Sequence, residues 1–577
     1  MLYNQPYTTA EQIFGRGMTA NELIAAVRTC DWKEAFIRIA SLGGLVANSP
    51  DGALSETVKQ RTVDQIPKLA GPPNTAALFA HGRAYVSANR DQITLAHDEV
   101  LSFLQHLILL EGGDDGDVPG DPEIALWMAG ANGHLDRWKE RSDERETLMA
   151  EVTRILRFNN RPDALAELVR TRRLFGTRPP QGELCDEAKW AALEREAFGP
   201  GFAAFFESVL GPLYLFSLGW GIDGSAEPLP RFHVQKFVDE TKVSRDELEQ
   251  FLAPMVGSRE ELRAQIRTKL RPDGLPHAPT ALLQRPLVRI APDVFVAASP
   301  WAVRSQMRTG VWWRYLSAAK KLNPKGGADA WFSTFGYMVE YWCRRIAEQA
   351  TSGARDARIL LPSRPGAPDE VEDVVVIESG GAIMFSIKSR LVDARAGRDA
   401  ISPSLTIGWF EDFFFEQRGD DYRGGAIRML DGRIKKVRAG AFESLGMKAE
   451  IKIYPVIVTY DNLGEHDMLY RWIEERCTHH GLLQQANIGP VAFLRVSEFE
   501  QLMSRIGEGR SIVDLFRSRE GEGKHRRVDQ LIHEGGVPRR LAFFEDENRD
   551  LTAAIRARLF GASPGTDGFS EGSQPGP

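Results

Sequence analysis

Residues 369–390 read Asp-Glu-Val-Glu-Asp-Val-Val-Val-Ile-Glu-Ser-Gly-Gly-Ala-Ile-Met-Phe-Ser-Ile-Lys-Ser-Arg. Two apolar runs, Val374–Ile377 and Ile383–Ile387, flank Ser379-Gly380-Gly381. Their β-branched content, their length and the Gly-Gly pair predict a β-hairpin. Asp373 opens the first strand and Lys388 closes the second, so both can meet at one rim of a sheet. An acid and a lysine at a shared rim suit a hard divalent cation and an anionic reacting group. Charges this close to buried apolar strands cost free energy unless they are paired or used.

The hairpin's surroundings extend the pattern. Trp331 to Ala350 reads as an amphipathic helix, with Phe335, Met338, Val339, Trp342 and Ile346 at helical spacing and Glu340 among them. Ile407 to Gln417 predicts a short aromatic helix, and Gly424 to Val437 a helix carrying Arg428, Arg433, Lys435 and Lys436. Ile451 to Thr459 is a continuous apolar run that suits a buried parallel strand, weakened only by Pro455. His466 to His480 predicts a helix and Val491 to Val496 a strand. Ser497 with Glu500 three residues on then predicts a capping box. Alternating helices and strands in this order predict an α/β sandwich.

Those residues resemble the core of the PD-(D/E)XK nuclease superfamily, the restriction-endonuclease-like fold, over about residues 331 to 545. The family pattern is an acid opening one strand, then acid, any residue and lysine on the next. Asp373 matches the first acid and Lys388 the lysine. Ser386 stands where the second acid belongs. Glu340 matches the glutamate that family members carry on the helix before the sheet. The resemblance implies metal-dependent phosphodiester hydrolysis. Mg²⁺ or Mn²⁺ would be held by Asp373, Glu340 and the backbone carbonyl of Ile387, while Lys388 orients the attacking water and offsets charge on the phosphate. Ser386 is a neutral, weaker ligand. Two functions therefore stay open: an active nuclease, or a catalytically silent module that binds nucleic acid or a partner.

Glu340, Glu378 and Glu416 are the candidates to replace the missing acid, and Glu340 is favoured. Strand alternation sends Glu372 to the sheet face opposite Asp373, as a solvated charge. Arg423, Arg428, Arg433, Lys435 and Lys436 form a locally basic stretch that could position phosphates, with DNA favoured over RNA. The whole chain carries a net charge of −7, so any nucleic-acid surface must be local.

The chain of 577 residues divides, on sequence, into an α+β multidomain protein. A mainly helical region over 1–280 precedes a hairpin-and-helix connector over 281–330. The restriction-endonuclease-like domain follows over 331–545, and residues 560–577 read as a disordered tail rich in Gly, Ser, Pro and Asp. Thr19–Glu22, Ser244–Glu247 and Ser258–Glu261 each announce a helix start. Arg141 to Phe158 reads as a charged helix. Glu111 to Asp121 clusters carboxylates but lacks the calcium-loop glutamate, which favours a solvated loop.

Four distant cysteines (Cys30, Cys185, Cys343, Cys477) predict no disulfide framework and a reducing cytoplasm. Cys477, His479 and His480 are half a metal site without a second half. No nucleotide-binding loop, serine-hydrolase elbow or zinc-protease helix is present. The polar N-terminus and short apolar stretches predict neither targeting segment nor membrane span. Large chains with such a domain resemble prokaryotic defence or restriction effectors. By that analogy the helical region would engage a protein partner or a second copy of the chain.

Overall fold

The computed structural model describes residues 8–48, 56–69, 75–135, 145, 149, 153, 164–219, 231–276, 280–351, 354, 356–362, 371–389, 391, 403–418, 423–534, 536 and 538–561. The charged stretch 141–158 lies outside them except at Arg145, Met149 and Thr153, and so does the tail from 562.

The fold is α+β and mostly helical. A four-stranded sheet orders β1 (Arg231–His233), β4 (Val294–Ala297), β3 (Leu287–Ala291) and β2 (Val256–Gly257) side by side. Its β3–β4 hairpin turns at Pro292-Asp293, as the sequence predicts. The larger sheet has five strands in the order β11-β10-β7-β6-β5: β5 (Arg358–Leu360), β6 (Val374–Glu378), β7 (Gly381–Lys388), β10 (Ile453–Thr459) and β11 (Ala492–Arg495). A two-residue ribbon, β8 (Gln417–Arg418) with β9 (Arg423–Gly424), stands apart.

The predicted hairpin is β6–β7, antiparallel, with Glu378 opposite Gly381 across Ser379-Gly380. The predicted buried strand is β10, parallel to both β7 and β11. Pro455 nonetheless sits inside this central strand. The Ile453 N–H two residues earlier points away from β7, to the Asn487 carbonyl. By the strand repeat the donor that Pro455 lacks would point the same way, and β11 pairs only from Val456 onward. No ladder bond is lost there.

Helices cover both faces of the large sheet. On one face Val374, Val376, Ile383, Phe385 and Ile387 join a core with Phe335, Val339, Trp342 and Ile346 of the helix Gly327–Thr351. On the other, Val375, Met384, Ile457 and Phe493 join a second core with the helices Pro403–Phe415, Ala426–Arg438 and Asp467–His479. The first core runs on into the N-terminal helices, from Ala10 to Leu559. A buried ion pair crosses the same junction. Arg170 Nη1 lies 3.1 Å from both carboxylate oxygens of Glu500, and Trp342 Nε1 donates to Glu500 at 2.8 Å.

That pair corrects one expectation. Glu500 caps nothing. The helix begins at Val496, and Glu498 reaches back to the Arg495 N–H at 2.7 Å, while Glu500 turns into the core. The other helix starts stand as expected. Thr19 and Ser258 form capping boxes with Glu22 and Glu261, and Ser244 accepts from the Glu247 N–H. The acidic loop is tied down by Arg259, which pairs with Asp114 at 2.7 Å. Among the described residues one helix, Glu187–Leu218, is long and apolar enough to cross a membrane, and 56% of its apolar window is buried inside the protein.

The helix Asp98–Glu111 is buried on nearly every side and encloses His106. His106 Nδ1 lies 2.7 Å from the Ser102 carbonyl, and Nε2 has no partner. Burial pushes its pKa down to about 4. A histidine held neutral this way contributes stability that is fully present above its unfolded pKa and is lost as pH falls toward the folded value. His106→Leu should therefore flatten the acid limb of a stability–pH curve between about pH 6.5 and 4, by up to about 3 kcal/mol. Urea unfolding at stepped pH checks this. An unchanged slope would count against a buried neutral His106.

Candidate active site

The parallel strands β7, β10 and β11 end together, with Lys388 opposite Thr459 and Thr459 opposite Arg495. Antiparallel β6 begins at the same rim, with Val374 opposite Phe385. The chain enters β6 through a bend at 371–373. There the Asp373 carboxylate takes over a backbone role: Oδ2 accepts the Ile387 N–H at 2.6 Å. Asp373 is buried and Lys388 is half-buried. Both stand at one rim, as the sequence reading expects.

Glu372 overturns its expectation. It is not solvated but 5% exposed, and its Oε2 has no hydrogen-bond partner. Alternation fails because it holds only inside a strand. Residues 371–373 precede β6, and Val371 is already buried in the second core. Burial pushes the Glu372 carboxyl up to about 8, and the Asp373 charge adds to the shift. Lys388 and Arg433 pull the other way. Ser386 is 0% exposed, and its hydroxyl also favours the ionised Glu372 while lying outside strict hydrogen-bond geometry. The residue in the second-acid position therefore stands beside an acid delivered by the bend that enters the neighbouring strand.

Glu340 lies on the helix Gly327–Thr351 and is half-buried. One turn earlier, a Cβ built on Gly336 would stand 3.5 Å from Ser389 Oγ, so this helix passes close to the end of β7. Burial raises the Cys343 thiol pKa, and the negative charges of Glu500, Asp373 and Glu340 add to it. Asp373 and Glu340 thus share the surroundings of one side chain.

Of the remaining candidates, Glu378 separates from this centre. Glu378 accepts the N–H groups of Ile512 and Val513 at 3.1 and 3.2 Å, at the hairpin-turn end of the sheet. Glu416 follows the aromatic helix, which ends at Phe415, and is half-buried. Cys477 is buried, which pushes its pKa up to about 12. Among the described residues no group of three or more His, Cys, Asp or Glu is placed to hold a metal. Glu372 and Asp373 bring two adjacent carboxyl groups to this rim.

The basic stretch divides as well. Arg428 Nε donates to the Phe415 carbonyl, and its Nη2 lies 3.5 Å from His480 Nδ1. Lys435 pairs with Asp431 at 2.7 Å, and Lys436 is exposed. The Arg423 side chain lies outside the described residues. Arg433 reaches the site through its charge on Glu372. The sequence reading missed Glu372. The signal that could have found it is Val371, an apolar residue ahead of the acid pair, which puts the chain in the core before the strand begins.

Comparison with family models, with curated proteins and with solved structures gives no match to this chain.

Proposed function

We propose that the protein is a metal-dependent nuclease cleaving DNA or RNA phosphodiester bonds, on a restriction-endonuclease-like sandwich. The five-strand order, the helix preceding the hairpin and the helices on both sheet faces support the fold. One observation carries the activity: Glu372 is buried beside Asp373, Ser386 and Lys388 at the shared rim. Two adjacent carboxyl groups, one with an orphaned oxygen, next to an orphaned serine hydroxyl, make a costly arrangement without a cation. They fit Mg²⁺ or Mn²⁺, which is commonly held by one or two carboxylates and keeps its other positions for water and phosphate. Bound there, the ion would supply charge neutralisation for the phosphate and its leaving group.

The chain's own residues do the rest. The Ile387 N–H fixes Asp373. Lys388 orients the attacking water and offsets charge developing on the phosphate. Arg433 adds positive charge on the side of the second core, and Glu340 lies on the helix that covers the opposite sheet face. Nucleic acid is the partner, with DNA favoured. A reducing cytoplasm suits the four free cysteines. A role as a prokaryotic defence effector remains an analogy of architecture.

A second reading, a catalytically silent nucleic-acid-binding module, is favoured by Ser386 and by the lack of a third converging acid among the described residues. Incubating the purified chain with plasmid DNA and with RNA, under Mg²⁺, Mn²⁺ or chelator, separates the two. Metal-dependent cleavage supports the nuclease. Binding without cleavage under every metal supports the silent module.

A further inference from the structure

Two large aromatic side chains stand exposed just beyond the candidate site. Trp313 and Phe332 are each 49% exposed. They belong to consecutive helices, Val311–Leu322 and Gly327–Thr351. Trp312 is their common neighbour, with its ring 4.8 Å from Trp313 and 5.7 Å from Phe332.

The second helix can be placed against the strands turn by turn. Cys343 lies deeper along the helix: it is fully buried, and its neighbour Trp342 donates to the buried Glu500. Phe335 packs edge-on against Tyr460 at 5.0 Å, and the Tyr460 N–H donates to the Lys388 carbonyl at 3.1 Å. Gly336 faces Ser389, the residue after β7. Running from Cys343 to Gly336 thus moves outward past the strand ends. Phe332 lies four residues further out on the Gly336 face, about 6 Å along the helix axis. It stands past the rim that carries Asp373 and Lys388.

We propose that Trp313 and Phe332 form a stacking platform for unpaired bases, so that the substrate is single-stranded nucleic acid. The inference rests on the nuclease reading of the rim. Every base has a π-face, so aromatic rings hold single strands without reading sequence. A duplex keeps its bases stacked inside and offers these rings only its backbone. Placing the platform past the strand end that carries Lys388 and Ser389 would set a phosphate of the same strand at the reacting centre. Both side chains are half open to solvent, so truncating them opens no core cavity.

The test is fluorescence anisotropy in chelator, with labelled oligothymidylate, oligouridylate and a hairpin duplex as probes. The parent protein should prefer single strands, and the first two probes distinguish DNA from RNA. Trp313→Ala and Phe332→Ala should each weaken single-strand binding by about fivefold to a hundredfold, with duplex binding unchanged. Trp313→Tyr should restore it. Unchanged single-strand affinity in both alanine variants overturns the platform, and so does an equal loss for duplex. A fall in oligomer mass in these variants, read by light scattering, would make the patch a protein interface and overturn it too. Lys388→Ala keeps the two proposals separate, because it should lose cleavage and keep the aromatic-dependent binding. Cleavage unaffected by Lys388→Ala, with the aromatic effect intact, removes the nuclease reading of the rim and leaves the platform.

Discussion

Asp373→Asn and Lys388→Ala should each reduce metal-dependent cleavage by at least about a hundredfold, with the fold intact. Asparagine is the informative choice at 373. The Asp373 carboxylate has a second task, accepting the Ile387 N–H at 2.6 Å. Asparagine keeps an oxygen for that donor and removes the charge. Alanine would strand a buried N–H, at a cost of about 1–3 kcal/mol, and confuse lost chemistry with lost stability. Lys388 is half-buried at a strand end, so its truncation removes an ammonium without opening the core. Single-turnover cleavage with excess enzyme, together with thermal unfolding, checks both. Retained cleavage in either variant would place the reaction elsewhere.

Ser386→Glu should have the second-largest effect, and its sign decides the role of Glu372. If the second-acid position were merely vacant, restoring the family acid would raise activity. Ser386 is fully buried, and its hydroxyl already faces the Glu372 carboxyl. A new carboxylate would meet Asp373 and Glu372 in a closed space. Overpacking and like-charge repulsion together should cost about 3 kcal/mol or more, and cleavage should fall. The swap Glu372→Ser with Ser386→Glu should recover both stability and cleavage, a coupling that a double-mutant cycle measures. Activity raised by Ser386→Glu alone would mean that Glu372 does not occupy the ligand position.

The fold was legible where the periodicity was strong. The Ser379-Gly380-Gly381 turn between β-branched runs marked the hairpin, and the apolar run to Thr459 marked the central strand. Phe335, Val339, Trp342 and Ile346 marked the face of the helix that covers the sheet. Legibility failed at element edges. Glu372 and Asp373 are adjacent, and alternation separates them only if both lie inside the strand; the bend before Val374 puts both in the interior. Glu500 failed for a related reason. A capping box is a local pattern, whereas Arg170, its buried partner, lies 330 residues away in sequence. The basic stretch misled because the sequence records charge and not direction. Arg428 and Lys435 are held by local partners, whereas Arg433 reaches the site. The pair Trp313 and Phe332 carried no signal at all, since exposure past a rim is a tertiary property.

Calorimetric titration of the purified chain with Mg²⁺ or Mn²⁺, in buffers of different ionisation enthalpy near pH 7, tests the central claim most directly. Glu372 is held protonated there by burial and by Asp373, with its pKa up at about 8. A cation bound by the pair must displace that proton. The account predicts metal binding with proton release in the parent. Glu372→Gln should lose the proton release and at least about tenfold in affinity, whereas Ser386→Ala should keep both. Metal binding without proton release, or with an affinity that Glu372→Gln leaves unchanged, would contradict the assignment of Glu372 as the acid that Ser386 replaced.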